Sequence, residues 1–264
     1  MIHLKNSDEI ALMRRAGRVT ADVLEKMREL VRPGVSTGEL DRAAEEYILS
    51  CGGKPVFKGF KMGRSIPPFP GTICASINEE IVHGIPSFER KLEEGDILSV
   101  DVGVLLDGYC GDAACTYPVG NISPERQALL DVIELSLNNA IKAAVKGNTL
   151  GDIGYAVESC VKAKGYGIVR DYTGHGIGKD MHEAPQVLNY GRPGRGVTLQ
   201  KGLAIAIEPM IMSGGEDVKV AENGWTVFTA DGSDAAHFER SIVITDEGPE
   251  VLTPWTSIDR KSVV

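Results

Sequence analysis

Residues 98–104 read Leu-Ser-Val-Asp-Val-Gly-Val, with an apolar side chain at every second position. That period of two predicts a strand, and it turns Asp101 away from the face made by Leu98, Val100, Val102 and Val104. Asp107-Gly108 follows as a two-residue hairpin turn. With that turn, position 103 pairs with 112 and 101 with 114, so Asp101 and Asp112 become diagonal neighbours on one sheet face, about 7–8 Å apart between backbones. Two carboxylates brought together in this way repel unless a cation sits between them or one keeps its proton. A metal is the simpler explanation of such a pair, whereas on this segment alone a solvated hairpin face is the commoner reading.

The histidines bear on that choice. Tyr172-Thr173-Gly174-His175-Gly176-Ile177-Gly178 surrounds an imidazole with three glycines, which let the backbone approach a ligand and give a core little to pack. His182 follows seven residues later, and His83 stands in Ile81-Val82-His83-Gly84-Ile85-Pro86. A single glycine-flanked histidine would read as an ordinary loop residue. Glu208 ends the apolar run 203–207, and Glu239 precedes the strand-like stretch 241–244. Charges placed in such strands need partners, and Arg240 and Lys219 are available for structural ion pairs. Joined to Asp101, Asp112 and His175, the two glutamates instead complete four carboxylates and one imidazole. That mostly hard-oxygen set suits two Mn²⁺, Fe²⁺ or Co²⁺ ions better than a thiolate zinc site, with bridging carboxylates holding the ions about 3.5–4 Å apart.

The elements that must position these groups are legible from caps and periodicity. A helix is predicted from about Ser7, with Ile10, Met13, Gly17, Ala21 and Leu24 on one stripe, ending before Pro33-Gly34. Ser36-Thr37-Gly38-Glu39 forms a capping box before a second helix whose Leu40, Ala44, Tyr47 and Ile48 face inward, stopping at Gly52-Gly53. The arrangement returns 113 positions later without a gap, as Gly147, Thr149, Gly151, Asp152, Ile153, Ala156 and Gly165. Ser123-Pro124 opens the helix that precedes this copy, so each half reads helix, turn, helix, glycine, strands. Two such halves would pack their strands into one sheet with helices outside and a cleft between them.

Composition removes several functions. The 264 residues are 42% hydrophobic, enough for one substantial core, and the net charge of −9 comes without a Lys/Arg cluster that could neutralise several phosphates. Nucleic-acid and membrane binding are therefore not expected. Residues 1–15 contain no apolar run of the kind a secretory leader carries, and no stretch approaches the roughly 18 apolar residues of a membrane span. Five cysteines (Cys51, Cys74, Cys110, Cys115, Cys160) without a CxxC pair suit reduced thiols and a cytoplasmic location.

The chain resembles the type I methionine aminopeptidases over nearly its whole length. The resemblance rests on SINEEIVHGIP at 76–86, SVDVG at 99–103, GDAA at 111–114, YTGHGIG at 172–178, IEPM at 207–210 and HFE at 237–239. It implies an α+β fold of the pita-bread type: two pseudo-symmetric αβ halves, roughly 1–120 and 121–264, forming a central antiparallel sheet with helices outside, in a single catalytic domain. Position by position it implies Asp101, Asp112, His175, Glu208 and Glu239 as ligands of two divalent ions (Mn, Fe, Co or Zn), with Asp112 and Glu239 bridging. Glu208 would also shuttle a proton, His182 would hold the oxygen that becomes negative, and His83 would contact the amide that follows.

The methionine pocket sketched on this basis uses Phe69, Cys74, Met181 and Trp225, each of which would also serve as ordinary core. Residues 61–68 look longer than the equivalent loop in most bacterial relatives. Only 26 positions separate His182 from Glu208, too few for the helical insertion of the type II enzymes. The expected substrates are nascent polypeptides with a free N-terminal methionine and a small second residue, met by a monomer, with the ribosome as a docking partner. Two alternatives are a proline-directed peptidase of the same fold, which usually carries a further N-terminal domain, and a non-catalytic binding protein, which would have lost ligands.

Overall fold

The computed structural model describes residues 2–63 and 65–256. Its four helices start where the caps predict. Asn6 caps α1 (Ser7–Leu30): its side chain accepts from the Asp8 and Glu9 amides, and the Glu9 carboxylate accepts the Asn6 N–H. Ser36 and Glu39 make the same reciprocal box at α2 (Thr37–Ser50), which satisfies donors that a first helical turn leaves orphaned. Ser123 with Pro124 begins α3 (Pro124–Ala143), and Asp152 accepts from both the amide and the hydroxyl of Thr149 at the start of α4 (Leu150–Lys162).

The repeat seen in the sequence recurs in three dimensions. Gly34 and Gly147 both hold left-handed backbone, φ 87° and 95°, and each donates its N–H to a returning segment, to Leu92 O and Leu199 O respectively. Gly38 and Gly151 each press the first turn of a helix onto that segment so closely that a Cβ would overlap backbone at Phe88 in one half and Arg192 in the other. The apolar faces of all four helices meet one core: Leu24 and Met27, Leu40 and Ile48, Ile133 and Leu137, Ile153 and Val157 are buried with Val100, Val102, Ile205 and Ile242. Tyr47, expected to face inward, is only half-buried, because its hydroxyl reaches Asp22 at 3.2 Å on the helix flank.

Among the described residues every strand pairing is antiparallel, but the strands form four hydrogen-bonded ladders instead of one continuous sheet. The hairpin Ile97–Leu106/Tyr109–Pro118 is the centre of one ladder, flanked by Ile73–Ile77 and Lys54–Pro55. Another orders Pro249–Val251, Arg240–Ile244, Ala204–Ile207, Gly174–Gly176 and Glu183–Val187. A third joins Ala235–His237, Met210–Met212 and Gly167–Ile168, and the last joins Val218–Val220, Val227–Thr229 and Glu80–Val82.

Along the midline the hairpin is tied to the second half by isolated bonds instead of a ladder. The Glu239 N–H donates to Ala114 O at 2.9 Å, and the Ser241 hydroxyl donates to Asp112 O at 2.8 Å. His237 N–H donates to the Thr116 hydroxyl at 3.0 Å. Buried backbone groups are satisfied there by single amide and hydroxyl contacts, and this seam is where the carboxylates of the two halves come face to face. No helix among the described residues is long and apolar enough to cross a membrane.

Candidate metal centre

The hairpin has the register that the turn dictates. Gly103 pairs with Asp112 and Asp101 with Ala114, and the turn residues Asp107 and Gly108 take φ 51° and 81°. Asp112 is buried, while Asp101 is half-buried along the wall of a cavity of about 280 Å³.

His175 is brought to the same place by backbone contact. It lies in the strand Gly174–Gly176 opposite Ala206, and a Cβ on Gly174 would overlap Ala206 O while one on Gly176 would overlap Ala184 O, so both neighbours must be glycine. Its Nδ1 lies 2.9 Å from Gly176 O. A carbonyl only accepts, so Nδ1 carries the proton and Nε2 presents a lone pair. That lone pair faces Asp112 Oδ2 at 3.5 Å and Glu208 Oε1 at 3.6 Å, acceptor against acceptor.

Glu208 follows the strand Ala204–Ile207, its main-chain carbonyl fixed by the Asn189 amide at 2.9 Å. Glu239 sits between Ala235–His237 and Arg240–Ile244, with the Trp255 indole donating to its carbonyl at 3.0 Å. Ligand atoms of Asp112, His175 and Glu239 all lie within 4.8 Å of one another, and Asp101 and Glu208 line the same cavity floor. Burial pushes all four carboxyl groups well above their usual range, and for Asp101, Glu208 and Glu239 the neighbouring carboxylates push further.

The donor set fits a cation. Asp101 Oδ1, Asp112 Oδ1 and Glu239 Oε1 are buried with no hydrogen-bond partner in the protein, and the His175 lone pair points among them. Buried orphan acceptors of like charge are costly unless a positive centre satisfies them. Structural ion pairs do not supply it. Arg240 lies over the Trp255 ring at 4.0 Å and donates to Trp255 O, Lys219 is exposed, and among the described residues no Lys or Arg pairs with any of the four carboxylates. Cys74 does not compete as a thiolate, because burial and then Asp101 push its thiol well up.

The two substrate-side histidines flank this floor. His83 adopts φ 59°, with its ring edge-on to Tyr172 and Trp225, and burial followed by the nearby His182 lowers it to about 4. His182 keeps an outer edge in solvent, while its inner edge meets the His175 ring at 4.4 Å between centroids. Burial of that inner side, then His175, lowers it, so both rings are neutral near pH 7. Phe69, Cys74 and Trp225 form a separate buried cluster, with Phe69 edge-on to Trp225 at 5.3 Å and the indole N–H on Pro67 O. Met181 completes the wall from the other side, packed against Gly103.

All eleven residues singled out from the sequence therefore line one cavity. Phe57, Phe60, Met62 and Tyr172 line it as well and were not assigned. Phe60 and Phe69 close the neck of the long loop through the Phe69 N–H on Phe60 O, and aromatic residues at both ends of that loop were the available signal. Of the loop 61–68, Arg64 lies outside the described residues. His237, seen only as part of a motif, is buried directly behind the two glutamates.

Comparison with known proteins is consistent with this geometry. The sequence profile of metallopeptidase family M24 matches residues 11–246. The chain is 50% identical over 253 residues to the methionine aminopeptidase of Clostridium acetobutylicum, covering 96% of this chain and 99% of that protein. It is 46% identical over 253 residues to methionine aminopeptidase 1 of Bacillus subtilis, with coverage of 96% and 99%. The crystal structure of methionine aminopeptidase from Rickettsia prowazekii matches with TM-score 0.92 at 39% identity, covering 96% of this chain and 100% of that one.

Proposed function

The chain belongs to metallopeptidase family M24, and from that premise we propose that it removes the N-terminal methionine from nascent proteins and peptides, preferring a small second residue. Its fold is the α+β pita-bread fold. The observation that carries the reading is the convergence of four carboxylates and one imidazole, from separate segments, on the floor of a cavity with an apolar pocket beside it.

Asp101, Asp112, His175, Glu208 and Glu239 would hold two divalent ions, of Mn, Fe, Co or Zn, and Asp112 and Glu239 are the most buried carboxylates of the set. When bound, such a pair acidifies a water and polarises the scissile carbonyl. Glu208, beside His175 and still open to the cavity, is placed to take the proton of the attacking water and return it to the leaving amine. His182, neutral at the mouth, donates to the carbonyl oxygen as charge develops on it. His83 contacts the next amide from the opposite wall.

The thioether side chain enters between Phe69, Cys74, Met181 and Trp225, where sulfur and ring edges accept an unbranched chain without asking for hydrogen bonds. The acidic floor favours a free amine over a capped one. The same proposal takes the chain as one catalytic domain over 1–264, dividing into halves near residue 120, working as a monomer in the cytoplasm on chains emerging from the ribosome.

Hydrolysis of Met-Ala-Ser and Ala-Pro peptides, with chelator and with added Mn²⁺ or Co²⁺, tests it. Release of methionine that chelator abolishes and metal restores is expected. Cleavage only before proline, or none under any metal, rejects the assignment.

A further inference from the structure

His237 has no part in the reading above, yet it is the polar group nearest the two glutamates from behind. The side chain is 2% exposed, and Nε2 has no hydrogen-bond partner in the protein. It lies 3.8 Å from Glu208 Oε2 and 4.0 Å from Glu239 Oε2. A buried imidazole nitrogen left without a partner is destabilising, so its placement calls for a use.

The ring is held in that position from the backbone. His237 pairs with Met210 in a strand, its N–H donates to the Thr116 hydroxyl, and that hydroxyl lies 3.0 Å from His237 O and 2.8 Å from Ser99 Oγ. The Ser99–Thr116 pair belongs to the hairpin that bears Asp101 and Asp112. With its proton on Nε2, which faces one oxygen of each glutamate, the ring is a single donor aimed at the gap between the carboxylates.

Glu208 is straddled by two imidazoles. Its Oε1 faces the His175 lone pair at 3.6 Å, and its Oε2 faces His237. We propose that His237 is a positioning residue whose Nε2–H donates to Glu208 Oε2, fixing the carboxylate plane so that Oε1 stays turned to the metal position beside His175. Closing 3.8 Å to hydrogen-bond length takes a movement of about 1 Å, within the reach of a carboxylate rotation. Partners of this kind behind a ligating carboxylate commonly change metal affinity or activity about 10–100-fold. This inference rests on the metal reading of the site and adds to it a group outside the five ligands.

The test compares His237→Leu, His237→Gln and wild type in three measurements: Mn²⁺ affinity of the metal-free protein by calorimetry, thermal unfolding without metal, and kcat with KM for Met-Ala-Ser. Leu removes the donor, and Gln returns an N–H of similar reach. Leu is expected to weaken Mn²⁺ binding about 10–100-fold and to lower kcat more than it changes KM. Its metal-free melting temperature should not fall below that of wild type, since in the metal-free geometry Nε2 is 3.8 Å from Glu208 and the substitution breaks no formed hydrogen bond. Gln should restore affinity to within a few-fold. Leu binding Mn²⁺ as wild type does, or Gln as impaired as Leu, overturns the proposal. Wild type that binds no Mn²⁺ instead refutes the metal reading itself. His237→Met serves in place of Leu should the branched side chain prevent folding.

Discussion

Replacing Lys5 with Met should loosen the wall that carries His182, although Lys5 is far from it in sequence. The Lys5 ammonium meets Glu183 Oε2 at 2.5 Å and also donates to His3 O, with side-chain exposures of 2% for Lys5 and 18% for Glu183. Glu183 in turn accepts the Asp180 N–H at 3.4 Å, so the pair pins residues 178–183, the turn that presents Met181 and His182 to the cavity. Gly178 lies so close that an added Cβ would touch both partners of the pair. Methionine keeps the apolar stem and removes only the charge. Stranding a buried partner costs about 3–5 kcal/mol, and because Glu183 retains some solvent the cost falls below that range, to about 2–3 kcal/mol. At roughly 2–4 °C per kcal/mol for a chain of this size, the melting temperature should fall by about 5–10 °C. Misplacing His182 and Met181 should lower kcat/KM for Met-Ala-Ser about 10–100-fold. The double variant Lys5→Met with Glu183→Gln no longer strands a charge, and should recover most of the stability. Calorimetric unfolding of both variants beside steady-state kinetics decides the matter. A single variant within about 0.5 kcal/mol of wild type, or a double variant no better than the single, refutes the reasoning.

In the metal-free protein the four buried carboxyl groups, whose ordinary values are 3.8 for Asp and 4.5 for Glu, hold protons more tightly than the unfolded chain does. Groups raised on folding stabilise the native state in acid, and that contribution is lost as pH climbs from the ordinary range through the raised values. Chelated protein should therefore melt at a falling temperature from about pH 5 to 8, and metal should abolish the trend; a flat chelated profile would contradict the shifts. Gly103→Ala would press a methyl onto Val56 Cγ2 and set it 2.5 Å from Met181 Cε, of which the unbranched methionine yields more readily. Overpacking should cost about 1–3 kcal/mol and push Met181 into the methionine pocket, so KM for Met-Ala-Ser should rise more than kcat falls, and unchanged KM would remove Met181 from the pocket.

The parts of the fold that were legible are those written within a few residues. Asn6 with Glu9, Ser36 with Glu39 and Thr149 with Asp152 are contacts at a spacing of three, so the caps show in the sequence even where, as at Asn6, the helix start alone was named. The hairpin register followed from Asp107-Gly108 and the period of two, which is enough to place Asp101 opposite Ala114 and Asp112 opposite Gly103. The division of the strands into four ladders was not legible, because it depends on a seam where Thr116 and Ser241 hydroxyls stand in for ladder bonds. Lys5 with Glu183 is 178 positions apart and reads as two unrelated surface charges until the fold buries them together. His237 shows the limit most clearly: its neighbour Glu239 stands out as a charge embedded between strands, whereas an imidazole two residues earlier has an ordinary place in a core, and only the direction of Nε2 distinguishes it.

Separate segments of the chain should converge to grip cations. Anomalous diffraction from crystals of the Mn²⁺-loaded protein addresses it directly. Two peaks about 3.5–4 Å apart are expected, flanked by Asp112 and Glu239, with Asp101, His175 and Glu208 completing the coordination. Peaks confined to other parts of the surface, or no peak with the five side chains placed as they are here, would contradict it.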